Sequence, residues 1–150
     1  MAKSPPSDVE PKLADRLEEI GRTLGARESR HVSDLREARV RVGEIRHQVQ
    51  YALRRFHVAV SDAGAPHLRV EVSEIRIDEK HLRAVEFDVT RGRHKAIVVG
   101  KSRGEITLVG PFRTGKAEGP CKSIPFGAEA ELEAALGEFL TSFLEEAATP

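Results

Sequence analysis

Apolar residues in the first 62 positions recur at intervals of three and four, which is typical of one face of an α-helix. The pattern begins at Leu13 and runs to Leu24, and after the segment "GARES" it resumes at Leu35 and continues to Val60. The second run alternates steps of three and four, as a heptad stripe does. The spacing therefore predicts a helical, coiled-coil-like segment over residues 12–62.

The gap between Leu24 and Leu35 leaves the number of helices open. Gly25 stands where a C-cap would end a first helix and give a helical hairpin. The alternative is one long helix whose stripe shifts in phase.

Residues 33–62 alone would form a helix about 45 Å long, more than a small domain easily covers. We therefore expect part of the stripe to contact a second copy of the chain. The residues expected in this seam are Leu35, Val42, Ile45, Val49 and Phe56.

After the turn-forming segment "SDAGAPH" the apolar period changes from 3.6 to 2, which is typical of β-strands. A first run over residues 68–77 slips in phase near Ser73, which indicates a bulge. Three more runs follow, over residues 84–90, 95–100 and 105–112, with "RGRH" and "KSRG" as turns between them. Four strands joined by short turns predict an antiparallel meander.

The last part of the chain predicts a loop and a second helix. Glycine and proline recur over residues 113–126, which is typical of a loop. From Gly127 onward a wide apolar stripe predicts a C-terminal amphipathic helix that packs on the sheet. The order of helix, four strands and helix predicts the α+β class. The expected organisation is a disordered lead-in over residues 1–11, the helical segment over 12–62 and a small α+β domain over 68–147.

Composition narrows the function classes. The 24 basic and 24 acidic residues balance to a formal net charge of zero, which disfavours a protein that coats nucleic acid or an anionic membrane. A single cysteine, Cys121, excludes an intrachain disulfide. No apolar run approaches the ~18 residues of a membrane span, and the N-terminus lacks the apolar segment of a signal peptide. We expect a cytoplasmic protein without a membrane partner.

The charges are nevertheless segregated along the chain. Residues 91–122 hold eight basic and two acidic residues, whereas residues 123–150 hold six glutamates and no lysine or arginine. One interpretation is that the acidic helix lies near the basic turns and balances them. The other is that the turns 91–95 and 113–116 meet at one end of the sheet and bind an anion. The anion-binding candidates are Arg91, Arg93, Arg113 and Lys116.

The segment "GPFRTGKA", residues 110–117, has the spacing of a phosphate-binding P-loop up to its last position. Ala117 replaces the Ser/Thr hydroxyl that would hold magnesium. Gly119, Pro120 and Pro125 follow where a helix should begin, and proline in a helix interior costs ~3 kcal/mol. We therefore predict a connecting loop and no nucleotide cofactor.

Other candidate chemistry is sparse. The six histidines lack the spacing of a metal site, so no metal is expected. Cys121 would need a histidine base close in space, such as His81 or His94, to act as a nucleophile.

The sequence favours a non-enzymatic assembly or adaptor protein, a homodimer that also contacts an unidentified protein partner. The alternative is an anion-binding regulatory domain that takes a nucleotide or a nucleic-acid backbone, although the balanced charge does not favour nucleic acid. A small enzyme built on Cys121 is the third hypothesis.

Overall fold

The computed structural model describes residues 9–77, 83–115 and 119–149, and these have the predicted α+β class. The chain divides into two units, residues 1–33 and residues 34–150. The elements in chain order are α1 (Val9–Asp62), β1 (Glu71–Val72), β2 (Arg76–Ile77), β3 (Ala84–Arg91), β4 (His94–Lys101), β5 (Glu105–Arg113), β6 (Cys121–Pro125) and α2 (Glu129–Ala148).

The described part of the first unit is helical throughout and belongs to α1. The helix continues through Gly25, so the choice between one helix and a hairpin is decided in favour of one. A single glycine in a helix interior costs only about 1 kcal/mol, which the rest of the helix can offset. The helix begins at Val9, within the predicted lead-in, and residues 1–8 lie outside the described residues.

The second unit contains an antiparallel sheet with the strand order β1-β3-β4-β5-β6, and β2 also pairs with β3. The prediction of four strands was therefore wrong, because the sheet has six strands within the described residues. The run over 68–77 splits into β1 and β2 because Ser73 interrupts the ladder. Its backbone N–H donates to the Asp88 carbonyl, and its hydroxyl accepts the Asp88 N–H, both at 2.9 Å. Arg46 of α1 donates from Nε to the Ser73 carbonyl at 2.8 Å.

Strand β6 lies in the segment predicted as a loop. It pairs with the outer edge of β5, where Ile106 faces Ile124 and Val109 faces Cys121. Ile124 is the one buried residue of β6. A strand with one buried side chain, ending in a proline, carries too little apolar alternation to be recognised from sequence.

Helices α1 and α2 supply the apolar side chains that cover one face of the sheet. Val85, Phe87 and Val89 of β3 are fully buried on that face. Helix α1 approaches β4 closely at Gly100, where an added Cβ would collide with Val42 and lie 3.2 Å from the Ala38 carbonyl oxygen. Glycine at position 100 therefore allows α1 to pack against the sheet.

Helix α2 packs on the same face through Ala135, Leu136, Phe139, Phe143 and Ala147. Its last turn contains no basic residue. Arg91 of β3 places a positive charge at this end of α2, because its Nη1 donates to the Ala147 carbonyl at 2.6 Å. A cation at a helix C-terminus offsets the negative end of the helix dipole.

The segment that follows α1 is held by His57. The Val70 N–H donates to His57 Nε2 at 3.0 Å, so this nitrogen is unprotonated. Burial lowers the pKa of His57 below 6.5, and the positive charge of Arg69 lowers the pKa further.

Candidate functional site

The predicted seam residues lie in the core of the second unit. Val42, Ile45 and Val49 are at most 4% exposed, and Leu35 and Phe56 are partly buried against the same core. They therefore pack on the sheet of their own chain. Val42, Ile45 and Val49 are therefore not available to a second copy.

The first unit has four exposed apolar residues on α1 that a second copy could contact: Leu13, Leu17, Ile20 and Leu24. They keep the helical spacing of 4, 3 and 4, and each is 46–57% exposed. A neighbouring exposed ion pair joins Arg22 Nη2 to Glu18 Oε1 at 2.7 Å. We refer to the four apolar residues as the N-terminal stripe.

The two basic turns meet at one end of the sheet. Thr114 donates to the Arg93 carbonyl from its backbone N–H at 2.7 Å and from Oγ1 at 2.9 Å. His94 faces Arg113 across β4 and β5. Arg93 and Arg113 are exposed, and neither forms an ion pair with any residue that the structure describes. Arg91 is bound to the end of α2 instead, and Lys116 lies outside the described residues.

A cleft of about 420 Å³ lies between α1 and α2 over β5. We refer to it as the interhelix cleft. Arg41 of α1 reaches across it, with Nη1 3.5 Å from Glu129 Oε1 of α2 and 4.0 Å from Glu44 Oε2 of its own helix. The lining residues are Arg41, Glu44, Ile45, Gln48, Ile106, Phe126, Glu129, Leu132, Glu133 and Leu136.

Sequence reasoning did not identify the interhelix cleft. Arg41 and Glu44 stand beside the buried stripe of α1, which is a weak indication that they border an interface between elements. Nothing in the sequence pairs them with Glu129, because the positions are 85 or more apart and the contact depends on how both helices cross the sheet.

Cys121 is exposed at the start of β6, beside a second cavity of about 220 Å³. That cavity is also lined by Lys122, Glu138 and Phe139, and no histidine is among its lining residues in the described part of the chain. His94 Nδ1 is buried without a hydrogen-bond partner in the described residues, and His81 lies outside them. No histidine among the described residues therefore lines the cavity beside Cys121, where a general base would have to lie.

On the face of β3 opposite the core, the carboxylates of Glu86 and Asp88 form ion pairs. Arg76 Nε lies 3.1 Å from Glu86 Oε1, and Arg76 Nη2 lies 3.0 Å from Asp88 Oδ2. Lys95 Nζ is 3.7 Å from the same Asp88 oxygen. Asp88 is only 8% exposed, and its paired cations compensate for the loss of water around the carboxylate.

Comparisons with protein-family models, curated proteins and solved structures find no match to this chain. Within the described ranges, no group of three or more His, Cys, Asp or Glu residues is placed to hold a metal ion. None of the helices described has the length and apolar character needed to cross a membrane.

Proposed function

We propose that the protein is a non-enzymatic assembly protein that joins a second copy of itself through the N-terminal stripe. The observation that supports this proposal is the exposure of four large aliphatic side chains at heptad-like spacing on one helix face. Exposed aliphatic side chains gain free energy when they are buried. A partner helix with the same stripe would bury them by knobs-into-holes packing.

The expected association is weak. Burying a whole leucine side chain contributes roughly 1.5–3 kcal/mol, and these side chains are already about half buried, so each contributes roughly 1 kcal/mol. Association must also offset the lost rotational and translational freedom of two chains. The eight stripe side chains of a dimer contribute roughly 8 kcal/mol in all, and association costs at least about 4 kcal/mol, so we expect a Kd of about 1 mM.

The test is sedimentation equilibrium across a wide concentration range, on the full chain. The wild type is expected to shift from monomer to dimer mass as concentration rises. A variant with Leu17→Asp and Leu24→Asp is expected to remain monomeric, because the dimer interface would then bury four unpaired carboxylates, two from each chain.

The matched control carries Ala26→Asp and Ser29→Asp, two exposed positions away from the N-terminal stripe. It adds the same charge and should associate like the wild type. A monomeric wild type at every concentration, or a dimer that survives the two leucine substitutions, would contradict the proposal.

A second candidate function is anion binding at the basic end of the sheet. It is favoured by the proximity of Arg93 and Arg113, two exposed guanidinium groups on turns joined by the Thr114 hydrogen bonds.

The test is fluorescence anisotropy with a labelled single-stranded oligonucleotide and with labelled ATP, each at low and high salt. Arg93→Ala with Arg113→Ala should abolish salt-sensitive binding. Arg54→Ala with Arg55→Ala, a charge-matched pair on α1, should leave it unchanged.

A further inference from the structure

We propose that the interhelix cleft is a docking site for a protein segment that presents one large apolar side chain next to a lysine or arginine. The site uses no residue of the N-terminal stripe, so it goes beyond self-association and names a second kind of partner. The inference depends on the shape of the cleft, on its floor and on the charges at its rim.

The floor and walls of the interhelix cleft suit an apolar anchor. About 420 Å³ lies within the range of cavities that hold ligands in proteins. Ile106 of β5 is 1% exposed and Leu136 of α2 is 8% exposed, so the base of the cleft belongs to the core. Phe126 and Leu132 are partly buried and stand beside it. An inserted leucine or phenylalanine would extend this core.

The rim selects the charge of the partner. Three carboxylates and one guanidinium line the interhelix cleft, and the guanidinium of Arg41 already contacts Glu44 and Glu129. Glu133 forms no ion pair among the residues described. A lysine or arginine beside the apolar anchor would pair with Glu133, and such complementarity also disfavours acidic partners.

The position of the cleft favours a polypeptide as its occupant. It lies between the surfaces of two helices, which is the kind of groove that an amphipathic segment fills with successive side chains. Gln48 adds a side-chain amide to the lining, with donors and acceptors that a peptide backbone can use. One anchor in the cleft and one cation at Glu133 define the minimal motif.

The test uses a random linear peptide library displayed on phage and selected on the immobilised full chain. The enriched peptides are synthesised and their affinities measured by fluorescence anisotropy. They should carry lysine or arginine within a few residues of Leu, Phe or Trp. Glu133→Lys is expected to weaken their binding about tenfold or more, because it replaces an attraction with a repulsion. Glu131→Lys, the same change on the same helix outside the lining, should have little effect.

Leu132→Trp tests the apolar part of the site without changing a charge. The larger ring should occupy the interhelix cleft and also weaken peptide binding about tenfold or more, while thermal unfolding shows that the fold persists. The variant with Leu17→Asp and Leu24→Asp should bind the peptides like the wild type. Peptide binding by this variant would show that the docking site does not depend on self-association, so either proposal can fail without the other.

Three outcomes would overturn the inference. The selection could enrich no peptide, or only acidic ones. The enriched peptides could bind Glu133→Lys as tightly as the wild type. Hexylammonium alone could bind with the affinity of the peptides and compete with them, which would assign the interhelix cleft to a small cationic amphiphile.

Discussion

The two parts of α1 carry the same apolar stripe and have opposite surroundings. In residues 38–49 the stripe is buried, with Val42 fully inaccessible to solvent. In residues 9–33 it is exposed, with Leu17 57% accessible. Both parts repeat apolar residues in steps of three and four. Periodicity therefore identifies the face of a helix that needs a partner, and it does not identify the partner.

What distinguishes the two parts is the surface available to each. Residues 34–62 contact a sheet whose β4 strand has a glycine at position 100, where α1 comes closest. The stripe in residues 9–33 is left to solvent in the described chain. The following predictions, from the largest expected effect to the smallest, test this contrast.

Substitution by aspartate should separate the two parts most strongly. Val42→Asp places a carboxylate in the core with no partner and should destabilise the second unit by about 4 kcal/mol or more. Leu17→Asp should destabilise the chain by about 1 kcal/mol or less, because more than half of the side chain is exposed already. Urea unfolding followed by circular dichroism measures both. Equal effects would show that the two stripes have equivalent surroundings.

Glycine substitutions should have opposite signs. Gly100→Ala forces Val42 and the Ala38 carbonyl away from β4 and should destabilise the fold by about 1–3 kcal/mol. Gly25→Ala adds a Cβ that meets nothing within 4 Å and should stabilise the helix by up to about 1 kcal/mol. Thermal unfolding of the two variants gives the comparison. A neutral Gly100→Ala would mean that α1 can move away from the sheet without cost.

The smallest predicted effect is a pH dependence at the end of the buried part of α1. Because the pKa of His57 is lowered on folding, the unfolded chain binds more protons than the folded chain below about pH 6.5. The stabilisation by His57 is therefore complete above pH 6.5 and declines as the pH falls below it. His57→Gln should show a smaller loss of urea midpoint than the wild type between pH 7 and pH 5. Parallel pH profiles would exclude this role.

The main elements could be predicted because their signals are local. The stripe of α1, the alternation around Phe87 and the stripe of α2 each depend on residues close in sequence. The strand count was wrong where the signal was not local. Strand β6 buries only Ile124 and exists because β5 offers it a free edge. The separation of β1 from β2 depends on Ser73, whose carbonyl is held by Arg46, 27 positions away.

The candidate sites show the same limit. The proximity of Arg93 and Arg113 was one of two interpretations of the charge segregation. It agrees with a meander, in which every second turn lies at the same end of the sheet. The role of Arg91 at the end of α2 did not follow, because the sequence does not show where α2 ends in space. The interhelix cleft was missed for the same reason, since its rim joins Arg41 to Glu129 from two helices that are distant in the chain.

The edges of the sheet have a consequence for solubility at high concentration. An exposed strand edge can recruit a strand from another molecule and start fibrous growth. Here one edge is formed by β1 and β2, of two residues each, and the other by β6, which follows Pro120 and ends at Pro125. The edge of β1 and β2 is short, and the prolines at the β6 edge have no backbone N–H to donate. Within the described residues, each edge therefore offers an incoming strand only a few hydrogen bonds. These edges therefore give little opportunity for amyloid-like growth through the sheet.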